Sequence, residues 1–236
     1  MEHLKTPKTL NDHICEPTFF LKQSYAQTIQ TWRCNKALQN VIVALENSNI
    51  EYRFIGGCVR NYLLGHKILD FDLASPAGVE ALQTCFIKNH LHCIKHGLSY
   101  GVVSVLSDGI KFDIASLRVD VNHDGRYADI VSTNNWEVDS LRRDFTVNAL
   151  SIDQCGKLYD YHGGLNDLKD KKLRFIGQAQ TRISEDYLRI LRYFRLIGEL
   201  GWPLALEQNQ LSMCFARDAH HLEKLSNERI GSELIR

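Results

Sequence analysis

The sequence predicts an α/β domain followed by a helical region. Short apolar runs bounded by glycine, which are typical of strands, alternate with helical patterns up to about residue 137, and helical patterns predominate from there on. The 236 residues suffice for one large or two small domains, and 44% hydrophobic with 24% charged residues is ordinary for a globular protein. We therefore expect an N-terminal helical segment (1–50), an α/β domain (51–155) and a helical domain (156–236).

The composition excludes several classes of protein. No apolar run reaches the ~20 residues that span a bilayer, and the N-terminal residues lack the apolar core of a secretory signal. Seven cysteines, an odd number without any C-x-x-C spacing, are typical of reduced thiols. We therefore expect no membrane partner and a cytoplasmic location, with an organelle matrix as the alternative. The net charge of zero provides no overall basic field for nucleic acid.

The elements before residue 90 follow from periodicity and turn residues. Residues 24–49 contain no glycine or proline and predict one helix. "EYRFIGG" predicts a strand that runs into a glycine turn, and "CVRNYLLG" predicts a helix that Gly65 ends. "ILDFDLA" predicts a second strand, and Ser75 is the predicted N-cap of the helix after it.

The later elements are a hairpin, a loop and helices. "GVVSVLSDGIKFDIASL" predicts a β-hairpin around "SDG", and the polar residues 120–136 predict a mobile loop. A short strand is expected near "NALSID". The clearest helical pattern is "SEDYLRILRYFRLIGELG", with Ser184 as its N-cap and Gly201 after its end, and "NERIGSELIR" predicts a further helix.

Asp70 and Asp72 raise the first functional question, because both lie in the apolar run "KILDFDLAS". Side chains two residues apart share one face of a strand, so the two carboxylates would point the same way. They repel each other unless water or a cation separates them. An edge strand whose polar face is exposed to water is one interpretation, and a magnesium ion held by both carboxylates is the other.

Neighbouring motifs favour a metal–triphosphate site. "FIGGCVR" places two glycines where a strand meets a helix, so backbone N–H groups can approach phosphate oxygens beside the charge of Arg60. Asp113 in "KFDIAS" supplies a third carboxylate if the hairpin lies beside the strand of Asp72, and a structural aspartate is the alternative. Residues 169–195 carry eight Lys or Arg and three Asp or Glu, a local charge of +5, which indicates either a phosphate-binding surface or a solvated helix face.

Taken in order, these motifs resemble those of the class II tRNA nucleotidyltransferases (CCA-adding enzymes) and the related bacterial poly(A) polymerases. The resemblance covers roughly residues 51–236. It implies an α/β head of the polymerase-β-like nucleotidyltransferase type, a mixed sheet with flanking helices, followed by an all-helical neck. The similar segments are "IGGCVRNYLLG…LDFDLAS", "KFDIASLR", "LRRDFTVNALSID", "YDYHGGLNDLKDKKLRFIG", "EDYLRILRYFRLIGELG" and "SNERIGSEL".

The resemblance implies that the 3′-hydroxyl of a tRNA attacks the α-phosphate of CTP or ATP in the presence of Mg²⁺ and that pyrophosphate leaves. Asp70 and Asp72 match the metal-binding carboxylates of the family. Asp113 matches a third acid that helps to activate the hydroxyl. Gly57 and Arg60 match phosphate-contacting positions.

Five further positions match nucleotide-contacting residues of the family, namely Arg143, Asp144, Asp186, Arg189 and Arg192. We expect Asp186 and Arg189, three residues apart on one helix, to read the base. A carboxylate accepts a hydrogen bond from the amine of C or A, and a guanidinium donates one to the adjacent ring nitrogen, whereas U and G present the opposite pattern. From the residues alone, a salt bridge on a solvated helix is the alternative for this pair, and a helix-capping salt bridge is the alternative for Arg143 and Asp144.

CCA addition is the function that we expect. "KHGLSYGVVSVL" and the loop containing "HDGRYAD" are closer to CCA-adding enzymes than to poly(A) polymerases. Poly(A) or A-only addition is the first alternative, and a non-catalytic remnant that binds nucleotides or RNA is the second. Asn61 stands where the family usually has an aspartate. The family's helical body and tail would follow residue 236, so we expect either a truncated chain or a naturally short protein. The oligomeric state is left open.

Overall fold

A seven-stranded mixed sheet forms the centre of the protein, whose computed structural model describes residues 25–94, 100–124, 127–204 and 209–235. The order across this sheet is β3-β4-β5-β2-β1-β8-β9, and of its neighbouring strands only β2 and β5 run parallel. Strands β6 and β7 pair separately. The strands are β1 (Arg53–Ile55), β2 (Asp72–Ser75), β3 (His92–Ile94), β4 (Val102–Ser107), β5 (Ile110–Ser116), β6 (Arg118–Asp124), β7 (Tyr127–Ser132), β8 (Ser151–Asp153) and β9 (Leu158–Tyr159).

Helices flank the sheet and make up most of the described chain after β9. Short 3₁₀ helices lie at Thr146–Asn148 and Ala219–Lys224. This arrangement confirms the predicted fold class, a mixed sheet with flanking helices followed by a helical region. The α-helices are α1 (Tyr25–Arg33), α2 (Lys36–Asn47), α3 (Gly57–Leu63), α4 (Val79–Lys88), α5 (Trp136–Leu141), α6 (Gly164–Asp170), α7 (Ala179–Glu185), α8 (Leu188–Leu200), α9 (Asn209–Asp218) and α10 (Asn227–Leu234).

Within the described ranges, no helix has the length and apolar character that crossing a membrane requires. The division of the chain at residues 50 and 155 stays a prediction, and the large sheet itself reaches Tyr159 in β9.

An aromatic cluster fixes the elements that carry the cleft. The ring of Trp32 in α1 lies edge-on to Phe54 in β1, Tyr62 in α3 and Phe71, with centroid distances of 4.7, 5.4 and 5.4 Å. Edge-to-face pairs at these distances stabilise a core beyond the area that they bury. The cluster therefore holds the turn between β1 and α3 beside the segment that enters β2.

Several local predictions are confirmed. Strands β4 and β5 form the expected hairpin, which turns at Asp108 and Gly109, both with positive φ. Gly65 and Gly201 follow the ends of α3 and α8 with φ values of +70° and +61°, as the helix-ending glycines predicted. Helix α10 begins after Ser226, whose side chain accepts a hydrogen bond from the Arg229 N–H.

Two predictions about the first helices were wrong. Residues 24–49 do not form one helix, because the chain breaks after α1 and Asn35 caps α2 by accepting a hydrogen bond from the Leu38 N–H. Ser75 does not cap α4, which begins at Val79 after Gly78. The Ser75 hydroxyl instead donates to the Glu51 carbonyl at 2.7 Å and remains part of β2.

Three further predictions were wrong at sites that matter for function. Most of the segment 120–136 forms the paired strands β6 and β7 and the start of α5, and its residues 125 and 126 lie outside the described residues. Strand β2 begins only at Asp72, so Asp70 precedes the strand. The predicted helix from Ser184 is two helices, because α7 ends at Glu185 and α8 begins at Leu188.

Candidate active site

One cleft of about 1070 Å³ collects nearly all of the predicted site residues. It lies between the β1–α3 turn, the segment before β2, the segment after α5, and helices α8 and α10. Nine of the ten predicted residues line it, namely Gly57, Arg60, Asp70, Asp72, Arg143, Asp144, Asp186, Arg189 and Arg192. Asp113, the tenth, lies on the strand next to Asp72.

The cleft carries more positive than negative side chains. Its lining includes eight Lys or Arg and five Asp or Glu residues, a difference of +3. A concave, positively charged surface attracts anions such as phosphates. The charged lining residues that sequence reasoning did not select are Lys67, Arg142, Arg195, Glu199 and Arg229.

Asp72 and Asp113 are direct neighbours on the parallel strands β2 and β5. The Ser104 hydroxyl donates to one oxygen of Asp113 at 2.5 Å, and the Lys111 ammonium lies 2.9 Å from the other. The Asp72 side chain opens into the cleft but has protein on its other sides. Loss of solvent raises its pKa, and the charges of Asp113 and Asp70 raise it further. A cation between these carboxylates would relieve that cost.

Asp70 contributes from the irregular segment before β2, so the predicted shared strand face of Asp70 and Asp72 is corrected. Among the described residues, no three His, Cys, Asp or Glu side chains are grouped to hold a metal ion by themselves. Mg²⁺ usually binds through one or two carboxylates, with the remaining oxygens supplied by water and substrate phosphates. The pair Asp72 and Asp113 therefore fits Mg²⁺ when a phosphate ligand completes the coordination.

The glycine turn adopts a conformation that requires glycine. Gly56 has φ +72° and ψ −135°, and α3 begins at the next residue, Gly57. A Cβ atom at Gly56 would lie 3.9 Å from the nearer Asp72 carboxylate oxygen. A side chain here would therefore be strained and would stand beside the carboxylate of the candidate metal site.

Arg60 is buried under the cleft and held by two amides. Its Nε and Nη2 donate to the Asn61 side-chain oxygen at 3.1 and 2.9 Å, and its Nη1 donates to that of Asn148 at 2.5 Å. Burial lowers the pKa of Arg60. Because Asn61 is a neutral amide, it orients the guanidinium without neutralising its charge.

Arg143 belongs to a cluster around Asp139, which is almost fully buried. One oxygen of Asp139 accepts from Arg142 Nε at 2.9 Å and from the Arg118 N–H at 3.1 Å, and the other accepts from Arg143 Nη2 at 3.0 Å. Burial alone would raise the pKa of Asp139, but the charges of Arg142 and Arg143 lower it. Sequence reasoning missed Asp139, although its spacing of three and four residues from the two arginines was a usable signal.

Both oxygens of the buried Asp144 carboxylate accept hydrogen bonds from other groups of the protein. One oxygen accepts from the Phe145 N–H and the Asn148 side chain at 2.8 and 3.1 Å, and the other accepts two donors of Arg192. Burial alone would raise the pKa of Asp144, but the charge of Arg192 and these hydrogen bonds lower it. Whether Asp144 and Arg192 contact a nucleotide stays a prediction.

Asp186 and Arg189 both face the cleft, but they do not lie on one helix as predicted. Asp186 sits in the break between α7 and α8, with φ −154° and ψ 106°, and its side chain caps α8 through the Leu188 N–H at 3.1 Å. Arg229 Nη2 approaches both Asp186 oxygens, at 3.1 and 2.8 Å. The sequence pattern did not indicate Arg229 as a site residue, because it belongs to α10, 43 residues from Asp186.

Arg189 is anchored separately from Asp186. Its Nη1 donates to Glu185 at 2.6 Å and to the Arg182 carbonyl at 2.7 Å, and its Nη2 lies 3.3 Å from the Arg142 carbonyl. The alternative raised by the sequence, a direct salt bridge between Asp186 and Arg189, is not formed. The two side chains are therefore held as separate groups on the same cleft.

The sequence matches the family described as "Poly A polymerase head domain" over residues 52–174. Among similar proteins, the chain is 37% identical to CCA tRNA nucleotidyltransferase 1, mitochondrial, of Homo sapiens over 200 residues, which are 84% of this chain and 46% of the relative. It is 35% identical to a CCA-adding enzyme of Lactobacillus delbrueckii over 198 residues, 83% of this chain and 48% of the relative. The chain thus spans about half the length of the curated relatives that it matches.

Solved structures show the same similarity. The CCA-adding enzyme of Bacillus stearothermophilus in complex with CTP has a TM-score of 0.72 and 30% identity, covering 84% of this chain and 47% of its own. The CCA-adding enzyme of Thermotoga maritima complexed with tRNA has a TM-score of 0.67 and 25% identity, covering 89% of this chain and 49% of its own.

Proposed function

This chain belongs to the family of the poly(A) polymerase head domain, and we propose from this premise that it is a template-independent nucleotidyltransferase that adds C, C and A to the 3′ end of tRNA. The observation that carries the proposal is the cleft, whose lining combines Asp70 and Asp72 with a group of arginines and beside which Asp113 is the strand neighbour of Asp72. Relatives and structural neighbours named as CCA-adding enzymes support CCA addition over poly(A) synthesis.

The carboxylates form the metal side of the proposed reaction. Asp72 and Asp113, with Asp70 beside them, would hold Mg²⁺ together with phosphate oxygens of CTP or ATP. The ion, when bound, lowers the pKa of the attacking 3′-hydroxyl and neutralises the developing charge on the phosphates. Asp113, held by Ser104 and Lys111, is placed to orient the hydroxyl of the tRNA.

The arginines form the phosphate side. Arg142 and Arg143 each use one donor on Asp139, and those of their remaining N–H groups that face the cleft would bind triphosphate oxygens. Arg60, whose hydrogen bonds to described residues go to the side-chain amides of Asn61 and Asn148, lies beside the glycine turn at Gly57. Charge-assisted hydrogen bonds of this kind bind a triphosphate tightly and neutralise the pyrophosphate as it leaves.

The base is selected by side chains on the opposite wall. The remaining acceptor capacity of Asp186 suits the exocyclic amine of C or A, and Arg189 suits the neighbouring ring nitrogen. U and G would place a carbonyl against the carboxylate and an N–H against the guanidinium. Both contacts would be repulsive, so the site rejects these bases without a template.

We further propose that the reaction takes place in the cytoplasm or in an organelle matrix. Six cysteines in the described part of the chain are free thiols, as expected for a reducing compartment. Three of the most similar relatives carry mitochondrial names, which supports the organelle alternative.

A transfer assay tests the function. The chain is incubated with a tRNA transcript lacking its 3′ CCA, Mg²⁺ and labelled CTP or ATP, and the products are resolved at single-nucleotide length. Addition of C, C and then A supports the proposal, a ladder of A indicates poly(A) synthesis, and no product beside an active control enzyme indicates a non-catalytic remnant. Asp72→Ala and Asp70→Ala are expected to abolish transfer while binding of the transcript persists.

A further inference from the structure

Hydrogen bonds inside the protein fix the side chains on each side of the cleft, the phosphate side with Arg142 and Arg143 and the base side with Asp186 and Arg189. On the phosphate side, the buried carboxylate of Asp139 fixes Arg142 and Arg143. On the base side, Arg229 and the Leu188 N–H fix the carboxylate of Asp186. Neither set of contacts determines how far the two sides lie from each other, and the direct contact that Arg189 Nη2 makes with the Arg142 carbonyl is long, at 3.3 Å.

Arg182 of α7 connects the two sides. Its Nη2 donates to two consecutive carbonyls, those of Arg142 and Arg143, at 2.6 and 2.7 Å. Its Nη1 donates to Glu185 at 2.5 Å, and the same Glu185 oxygen accepts from Arg189. The Arg182 carbonyl accepts a second hydrogen bond from Arg189. Arg182 thus touches the backbone of the phosphate side and, through its carbonyl and Glu185, the arginine of the base side.

Arg182 does not itself line the cleft, and its side chain is only 10% exposed. A buried guanidinium is costly unless its donors are used, and burial lowers the pKa of Arg182. Its Nη1 and Nη2 are hydrogen-bonded, whereas its Nε is buried without a hydrogen-bond partner among the described residues. A planar fork that reaches two carbonyls and a carboxylate at once suits arginine and not lysine. The side chain therefore acts as a rigid spacer between two separately ordered groups.

We propose that Arg182 is a positioning residue that sets the spacing between the phosphate-binding arginines and the base-reading pair Asp186 and Arg189, so that one nucleotide engages both. This inference rests on the proposed function. A ligand that spans two prealigned subsites binds more tightly than either fragment because the second contact is intramolecular. Loss of the spacer would therefore weaken binding of a complete nucleotide and leave each subsite intact for its own fragment.

Binding measurements on the 236-residue chain with Mg²⁺ separate these effects. The ligands are CTP, UTP and inorganic tripolyphosphate, the last of which reaches only the phosphate side. The variants are Arg182→Gln and Arg182→Lys, with Arg174→Gln as the matched control. Arg174 also donates to a carboxylate, Asp167, and to a backbone carbonyl, that of His162, but it lies outside the cleft.

Arg182→Gln is expected to weaken CTP binding at least tenfold and to reduce the preference for CTP over UTP, while tripolyphosphate binding stays within twofold of the unmodified chain. Arg182→Lys keeps the charge but not the fork, and we expect an intermediate loss for CTP with tripolyphosphate again unchanged. If Arg182→Gln does not fold, the same binding measurements on Arg182→Lys test the inference. Arg174→Gln is expected to change none of the three affinities.

Two results would overturn the inference alone. Either CTP and tripolyphosphate weaken together in the Arg182 variants, as a general loss of structure would produce, or Arg182→Lys binds CTP as the unmodified chain does. A third result would overturn the proposed function and the inference with it, namely an unmodified chain that binds tripolyphosphate but does not prefer CTP to UTP. The unmodified chain therefore tests the proposed function, and the Arg182 variants test the positioning role of Arg182.

Discussion

Arg192 donates its Nε and its Nη2 to the same carboxylate oxygen of Asp144, at 2.8 and 2.6 Å, across 48 residues of chain. Its third nitrogen, Nη1, donates to Glu233 at 3.2 Å. Asp144 follows α5, Arg192 belongs to α8 and Glu233 to α10. One side chain therefore joins three segments that border the cleft.

Replacing this arginine is expected to destabilise the protein. In Arg192→Met, Asp144 keeps the Phe145 and Asn148 hydrogen bonds but becomes a buried carboxylate without a cation. Removing one partner of a buried pair typically costs about 3 kcal/mol or more. Urea denaturation at pH 7 measures the change. Lys172→Met, which removes one partner of the exposed pair with Asp170, is the control and is expected to cost less than about 1 kcal/mol.

The sign of the pH dependence follows from the lowered pKa of Asp144. A lowered pKa contributes stability that is present above the ordinary Asp pKa of about 3.9 and is lost as the pH falls through the folded-state value. Arg192→Met removes most of that contribution. The difference in stability between the two proteins is therefore maintained from pH 7 down to about pH 4 and narrows below that pH, and a constant difference at lower pH would contradict this account.

Asp72→Asn is expected to stabilise the metal-free protein while it abolishes transfer. The raised pKa of Asp72 means that its ionised form costs folding free energy, and an amide removes that charge. Because the side chain opens to solvent, we expect a rise in melting temperature of at most about 2–4 °C, or about 1 kcal/mol. Thermal melts in EDTA measure it.

The same melts at lower pH provide the check on Asp72. The gain should shrink as the pH falls through the raised pKa, because the native carboxyl then becomes neutral as well. In the presence of Mg²⁺ and CTP the order should reverse, since the native protein retains the Asp72 carboxylate that would hold the ion together with the phosphates. A variant that is less stable than the native protein in EDTA would contradict the assignment of like-charge repulsion at this site.

Arg189→Met is expected to reduce the discrimination of C and A against U and G. A good bidentate contact to a base is worth about 1–3 kcal/mol, so the ratio of transfer rates should fall by roughly tenfold or more. Glu185 keeps its contact with Arg182, so the fold should persist. Single-nucleotide transfer rates with each of the four triphosphates measure the ratio. A variant that kept the strict preference for C and A would contradict the base-reading role of Arg189.

Gly164→Ala is expected to be poorly tolerated, because a Cβ atom there would lie 2.9 Å from the carbonyl carbon of Thr146 and closer still to its oxygen. Thr146 begins the short 3₁₀ helix that carries Asn148 to the cleft. We expect a loss of about 3 kcal/mol. Gly198→Ala in α8 meets nothing within 4 Å and should stabilise the helix by about 0.5–1 kcal/mol. Equal melting temperatures for the two variants would refute the packing argument.

Part of the candidate site was predictable from local sequence signals, whereas the resemblance to a known family supplied Arg143, Asp144, Asp186, Arg189 and Arg192. The glycine turn at Gly57, the strand carboxylates and the hairpin each depend on residues a few positions apart, and backbone preferences act over that range. The pairing of Asp72 with Asp113 was also foreseen, since a hairpin that joins a sheet brings its alternate side chains to a neighbouring strand.

The sequence, read together with its family resemblance, therefore determined the fold class and nine of the side chains or glycines that line the cleft, but not Lys67, Arg142, Arg195, Glu199 or Arg229. The tertiary structure alone decided how they are held. Asp70 leaves the strand because Phe71 turns into the aromatic cluster with Trp32, and the helix predicted from Ser184 breaks where Asp186 meets Arg229. These contacts join residues 39 to 43 positions apart, and no periodicity or capping pattern encodes a partner at that distance, because it is chosen by packing and charge in three dimensions.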